Sequence, residues 1–242
     1  MVVRRRVVRL LAAIGAGVVI ASLAPAVAAE AKSPLYGAPK AGQCYNVAGK
    51  VAWTKNATSA KPISCSKKHT LWIVKVVKIP AKYKWGTHGY VEYSRAPCRG
   101  AIKKALGEYG TKYGMSAYTS FWLGPTKAQR AKGARWIGCE LGIQAGKAKL
   151  VATKQKRPSK VTGKRLPLRL RLCAVQAADG YYYGTNCAAT HDMVALKDEV
   201  FSGASDSNID AEQQRFCDTL GRPWLPWVLW IAPSKAIITC AY

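Results

Sequence analysis

The chain alternates between apolar segments and segments rich in glycine, proline and charged residues. A run rich in β-branched residues covers 71–79 and ends at Pro80. This run predicts a strand with Lys75 and Lys78 at its edge or on its outward face. Similar apolar segments in the same half predict further strands at 113–123, 135–143 and 148–153.

Helical periodicity is present in both halves of the chain. Apolar residues recur with the spacing of a helix over 101–106. We predict that this helix is capped by Ser94, has Pro97 in its first turn and ends at Gly107. The segment 211–220 predicts the matching helix of the second half.

The second half also carries strand signals. Leucines that alternate with arginines predict a strand over 166–173 that is buried on one face. The tyrosines at 181–183 predict a short return strand. The C-terminal segment 224–242 contains three tryptophans among apolar residues and predicts a pair of core strands, with a ligand-stacking platform as the alternative. Several strands with one helix in each half indicate the α+β class.

One cysteine-centred pattern occurs twice. The core Cys65-Ser-Lys-Lys-His69 has a counterpart in Cys187-Ala-Ala-Thr-His191. Each core is followed by a cysteine in a predicted helix, a Trp-x-x-Pro segment (Trp122 to Pro125 and Trp230 to Pro233) and a closing cysteine. We therefore predict two tandem copies of a small disulfide-stapled antiparallel sheet with one helix each. The predicted boundaries are 1–29 for a signal peptide, 30–41 for a lead-in, 42–146 for unit 1, 147–164 for a basic linker and 165–242 for unit 2.

The N-terminal region has the pattern of an export signal. Arginines precede an apolar stretch at 10–23, and Ala26-Val27-Ala28 forms a small-residue cleavage site. We predict cleavage near Ala28 or Ala29, with a retained membrane anchor as the alternative. No later segment reaches the roughly 18 apolar residues of a spanning helix. The mature protein is therefore expected outside the cytoplasm, secreted or associated with the cell envelope.

The chain has eight cysteines, and an even number in an exported protein indicates disulfides rather than free thiols or metal ligands. If each duplicated unit closes its own bridges, three pairings remain for each unit. Of these we predict that the first cysteine of each unit pairs with the second, and the third with the fourth. The predicted bridges are Cys44–Cys65, Cys98–Cys139, Cys173–Cys187 and Cys217–Cys240.

Charge is concentrated in the first half. From 30 to 165 the chain has 28 lysines and arginines against four acids, whereas 166–242 has six against eight. Such a surface attracts polyanions in a salt-dependent way. Because exported proteins rarely meet nucleic acid, we expect anionic envelope polymers, lipid head groups or envelope proteins as partners; a merely solubilising surface is the alternative. The candidate polyanion-binding residues are Lys67, Lys68, Lys75, Lys78, Lys82 and Lys84 around the first core, and Lys154, Lys156, Arg157, Lys160, Lys164 and Arg165 in the linker.

The residue pattern favours no catalytic site. Structural zinc needs four ligands, and a cysteine in a bridge supplies neither a metal ligand nor a nucleophilic thiolate. We predict that His69 and His191 are structural, with both ring nitrogens bonded to loop backbone. No cofactor is predicted and the protein is not expected to be an enzyme. The alternative is a hydrolase of wall polymers that uses acids of the second unit: Asp192, Asp198, Glu199, Asp206, Asp210 and Asp218.

The order of these motifs resembles the septum formation family, which comprises exported or membrane-tethered actinobacterial proteins that often carry tandem copies of the unit. The usual Gly-Asp-Cys start is Gly42-Gln43-Cys44 here, and the usual proline before the histidine is Lys68 or Thr190. The resemblance covers about 42–242 and implies a role at the division septum or envelope. It carries over no catalytic residues.

Overall fold

The computed structural model describes residues 33–55, 57–162, 166–220, 225–232 and 235–241. The predicted signal peptide therefore lies outside the described residues. The strands are β1 (Cys44–Tyr45), β2 (Leu71–Lys78), β3 (Tyr118–Leu123), β4 (Trp136–Ile143), β5 (Leu172–Gln176), β6 (Tyr182–Asn186), β7 (Met193–Ser202), β8 (Leu225–Ala232) and β9 (Lys235–Ala241). The helices are α1 (Gly49–Thr54), α2 (His88–Leu106), α3 (Thr111–Gly114), α4 (Lys127–Ala131) and α5 (Ile209–Cys217). In the part of the chain so described, no helix has the length and apolar character needed to cross a membrane.

The strands form two antiparallel sheets, and the fold is α+β as predicted. The first sheet has the order β1-β2-β4-β3, and the second has the order β6-β5-β7-β9-β8. Apart from the added edge strand β6, both sheets place their strands in the same relative order. The second strand of that order also has a register shift in both sheets, between Ile73 and Lys75 and between Ala195 and Lys197. A tandem repeat would produce this correspondence, although the duplication itself stays a prediction.

The disulfides connect the residues that the repeated pattern predicts. The bridges and their Cα–Cα distances are Cys44–Cys65 at 5.2 Å, Cys98–Cys139 at 5.3 Å, Cys173–Cys187 at 5.1 Å and Cys217–Cys240 at 5.7 Å. These separations are normal for a disulfide. In each half, one bridge joins the helix to the sheet, since Cys98 lies in α2 and Cys217 in α5. Both halves are therefore closed by their own bridges.

Helix α2 is longer than predicted, and its predicted start is wrong. It begins at His88 rather than after Ser94, and Pro97 lies inside it. A buried stripe runs along its whole length: Tyr90, Ser94, Cys98, Ile102 and Leu106. Because most helical stability in proteins comes from such packing, the first turns stay helical despite the hydrogen bond that Pro97 cannot donate. The predicted end is right, since Gly107 caps the helix in the left-handed region with a φ of 84°.

Two strands are shorter than the apolar pattern predicts. Residues Thr111–Gly114 form α3, so β3 begins only at Tyr118. In the second half, Leu168–Leu170 form a 3-10 turn and β5 begins at Leu172. In each of these two segments that were predicted as strand, an apolar residue is still buried: Tyr113 in the first and Leu170 in the second. The pattern therefore did not distinguish a buried turn from a strand, and it was wrong about Leu168, which is 56% exposed.

The predicted basic linker packs against the first sheet instead of extending into solvent. Thr153 exchanges backbone hydrogen bonds with His69 at 2.9 and 2.8 Å. The Trp72 indole donates to the Gln155 carbonyl at 2.7 Å. The outlying strand predicted at 148–153 is reduced to isolated bridges. This arrangement brings the linker cations next to the first sheet.

The first sheet is covered on both faces. Helix α2 covers one face, where Ile102 and Leu106 pack with Leu141 of β4. Residues around α1 cover the other face, where Ala52 packs in a cluster with Ile73. All of β4 is buried as a result. A polar side chain on this strand must find its partners inside the protein.

Backbone hydrogen bonds connect the two halves. They run from Ala117 to Leu170 (2.8 Å), from Leu172 to Met115 (2.8 Å) and from Gly146 to Gly184 (3.0 Å). The start of β5 therefore lies directly beside the segment that enters β3. This junction creates a cavity between the halves, which is described below.

Candidate functional site

The histidines of the repeated core close turns. The Nδ1 atom of His69 lies 2.8 Å from the Lys67 carbonyl, and Nδ1 of His191 lies 2.9 Å from the Ala189 carbonyl. Since a carbonyl has no proton to give, Nδ1 is the donor in both rings. Nε2 of His69 is buried and has no hydrogen-bond partner among the described residues, so within that part of the chain the prediction that both nitrogens bond to backbone is wrong for this ring. The Trp72 ring lies edge-on to it, with centroids 5.2 Å apart.

The same histidine lies beside the first disulfide. Nε2 or Nδ1 of His69 and the sulfur atoms of Cys44 and Cys65 lie within 4.8 Å of one another. The two sulfur atoms are bonded at 2.02 Å, however. A disulfide offers no thiolate, and one imidazole does not make a structural zinc site. In the oxidised protein this cluster does not fit zinc.

A basic cleft of about 840 Å³ lies between α2, β2 and the folded-back linker. Five cationic residues line it: Lys75, Lys104, Lys156, Arg157 and Lys160. Small residues of α2, including Gly100 and Ala101, leave the space open. The lining residues that the structure describes include no carboxylate. A concave surface with charges of one sign concentrates the electrostatic potential, so this cleft favours anions.

Of the twelve predicted polyanion-binding residues, four line the basic cleft, six others (among them the exposed Lys154 of the linker) do not, and Lys164 and Arg165 lie outside the described residues. Lys75 lines the basic cleft, together with the predicted linker residues Lys156, Arg157 and Lys160. The remaining lysines around the first core are exposed but are not among the residues that line it: Lys67, Lys68, Lys78, Lys82 and Lys84. Lys104 was not among the predicted anion-binding residues, although it is one of two lysines in the last turn of α2, before Gly107.

The first Trp-x-x-Pro segment forms the end of β3 and the turn that leads to α4. Thr126 caps α4 through a reciprocal pair of hydrogen bonds with Gln129. Arg130 donates to the Pro125 carbonyl at 2.7 Å. Trp122 has an indole N–H that is buried without a partner. In the second segment, Pro233 and the side chain of Trp230 lie outside the described residues.

Where the structure describes their side chains, the acids of the second half either accept hydrogen bonds from other residues of that half or are exposed. Asp192 accepts the Gln176 N–H at 2.7 Å, and Asp218 accepts from the Gln214 amide at 2.8 Å. The remaining described ones, Glu199, Asp206 and Asp210, are exposed. None of these five is among the described residues that line the basic cleft or the cavity between the halves. The hydrolase alternative gains no support from these positions.

Glu140 is an ionisable residue whose burial was not predicted from the sequence. It lies in the middle of β4 with no exposed surface. Its Oε2 accepts the Leu123 N–H at 3.1 Å, whereas Oε1 is buried without a partner. Burial raises the pKa of this carboxyl group well above its ordinary value, against the opposing effect of the backbone hydrogen bonds. Gly138 makes the position possible, because a Cβ there would collide with the carboxyl group.

Comparison of the chain with protein-family models, curated proteins and solved structures gives no match.

Proposed function

We propose that this chain is an exported, non-enzymatic binding module of the cell envelope, of the septum formation type, and that its basic cleft binds an anionic envelope polymer. The repeated Cys-x-x-x-His and Trp-x-x-Pro motifs support the family assignment. Four disulfides and no free cysteine among the described residues fit an extracytoplasmic protein. The observation that carries the proposal is the basic cleft.

The cleft provides more than a high net charge. Its cations come from three separate parts of the chain, namely β2, α2 and the folded-back linker. Lys160 is held in place because its ammonium group donates to the Lys104 carbonyl at 2.6 Å. A cleft of this volume is roughly one Debye length across, about 8–10 Å at 0.1–0.15 M salt, so the fields of its cations add. A chain of closely spaced anionic groups matches this arrangement.

The test compares two triple variants of the full-length protein that lose the same charge. The cleft variant carries Lys75→Gln, Lys156→Gln and Arg157→Gln, and the control carries Lys78→Gln, Lys82→Gln and Lys84→Gln. Cosedimentation with purified anionic wall polymer is measured over a salt series. The cleft variant should bind about tenfold more weakly, because three screened contacts of about 0.5 kcal/mol each are lost.

The control variant should lose much less affinity, and binding by the unmodified protein should weaken as salt rises. Equal losses in both variants would show that the charge acts without a site, which would refute the proposal. Anionic liposomes serve as a second arm, and stronger binding to them than to polymer would assign the cleft to lipid head groups instead.

A further inference from the structure

A cavity of about 460 Å³ lies at the junction of the two halves, separate from the basic cleft. Its near wall comes from α2 and from the segment that leads through α3 into β3. Its far wall comes from the second half, through Leu172, Val228 and Thr239. The volume is in the range of small-molecule sites.

The near wall combines aromatic rings with hydrogen-bond donors. Tyr109 and Tyr113 stack with their ring centroids 4.6 Å apart. Trp122 adds a third aromatic ring to this wall, and the hydroxyl-bearing residues Thr119 and Ser120 line it as well.

Two arginines complete the donor set. Arg95 and Arg99 lie one turn apart on α2 and both line the cavity. Arg95 uses its Nε to pair with Glu92 at 2.7 Å, so its terminal nitrogens are left for another acceptor. Arg99 lies beside the Tyr109 hydroxyl, where its charge opposes the rise in the pKa of Tyr109 that burial causes. Glu92 pairs with Arg95 from outside the cavity, whereas the described lining itself contains no carboxylate.

We propose that this cavity binds a small organic anion with a planar apolar body, whose acid group contacts Arg95 and Arg99 and whose ring lies against the aromatic wall. Guanidinium groups bind carboxylates and phosphates through paired hydrogen bonds, and flat rings pack well against tyrosine and tryptophan. Neither half forms the cavity alone. The site is therefore a property of the tandem arrangement and is independent of polymer binding at the basic cleft.

The test measures binding of three probes to the full-length protein by isothermal titration calorimetry: 2-naphthoate, 2-naphthyl phosphate and the neutral 2-naphthamide. We expect one site per chain and tighter binding of at least one anion than of the amide. Arg99→Gln should weaken binding of that anion by about tenfold or more, the usual effect of losing a charged hydrogen bond. Arg95→Gln should weaken it in the same direction.

The matched control is Lys103→Gln, which removes the same charge from an exposed position of α2 outside the cavity. It should change the affinity less than about twofold, as expected for a screened surface charge. Thermal unfolding verifies that each variant is folded.

Several results would overturn the proposal. They are the absence of binding by all three probes, equal binding of amide and anions, and equal effects of Lys103→Gln and Arg99→Gln. The triple variant of the basic cleft should bind the preferred anion normally. A loss there would place the probe in the cleft and would also refute the cavity site. The relative affinity of the two anions identifies the acid group that the site prefers.

Discussion

Replacement of Glu140 by glutamine should make the protein less sensitive to pH. The carboxyl group is fully buried and accepts a hydrogen bond from the Leu123 N–H. A glutamine has nearly the same shape and its carbonyl oxygen can accept this bond, but it never ionises. The substitution therefore isolates the cost of charging a buried group.

The sign follows from proton binding. In the unfolded chain this glutamate has an ordinary pKa of about 4.3, whereas burial raises its pKa in the folded protein. Between the two values the folded protein holds a proton that the unfolded chain has released. The free energy of unfolding therefore decreases as pH rises through this window, by up to about 1.4 kcal/mol per pH unit. Below the ordinary pKa the contribution to stability is fully present, and above the folded pKa the loss is complete.

The assay is urea unfolding between pH 4 and pH 8, with the disulfides kept oxidised. The unmodified protein should lose stability as pH rises, and Glu140→Gln should remove most of that slope. It should also be more stable than the unmodified protein at the upper end of the range. Asp179, whose pKa is lowered to about 2 chiefly by the hydrogen bond from Lys147, has the opposite effect, but its contribution to stability is complete above about pH 5. The slope is therefore compared between about pH 5 and pH 8.

The control is Glu108→Gln, because Glu108 also accepts a backbone N–H, that of Tyr113 at 2.9 Å, but is only half-buried. This variant should keep the slope of the unmodified protein. A flat profile in the unmodified protein, or an unchanged slope in Glu140→Gln, would refute the reasoning about burial.

Two further predictions concern stability. Gly138→Ala should lower the free energy of unfolding by about 1–3 kcal/mol, because the new Cβ collides with the buried carboxyl group next to it; urea unfolding measures the loss, and a neutral effect would contradict it. Replacement of Cys98 and Cys139 by alanine should cost about 4 kcal/mol, against about 3 kcal/mol for Cys173 and Cys187, because these pairs are 41 and 14 residues apart. The reverse order in denaturant titrations would show that loop length does not set their contributions.

Much of this protein follows from its sequence because some signals are local or repeated. The branched run at 71–79 predicted β2 to within one residue at its end. Gly107 predicted the end of α2, since a glycine adopts the left-handed conformation at low cost. The order of the cysteines in two copies predicted the bridges, because a repeated unit tends to repeat its own connections. Each of these inferences needed only neighbouring residues or the internal repeat.

Other features depended on contacts between distant parts of the chain. The start of α2 was wrong because packing of Tyr90 and Ser94 against the protein interior outweighs the local capping signal at Ser94. The packing of the basic linker against the first sheet was not predicted, because nothing in its own residues shows that Thr153 bonds to His69. Only that long-range pairing brings its cations to Lys75 and Lys104.

The candidate sites likewise depended on contacts between distant parts of the chain. Glu140 is one of the few acids in the basic half, and its sequence neighbours do not reveal that both faces of its sheet are covered. The cavity between the halves requires Arg99 from one half and Leu172 from the other in the same space. The sequence determined β2, the end of α2 and the predicted pairing of the cysteines, since these depend on local preference and repetition. The tertiary structure alone decided which charges are buried and which are gathered, because burial and proximity are set by packing between segments far apart in the chain.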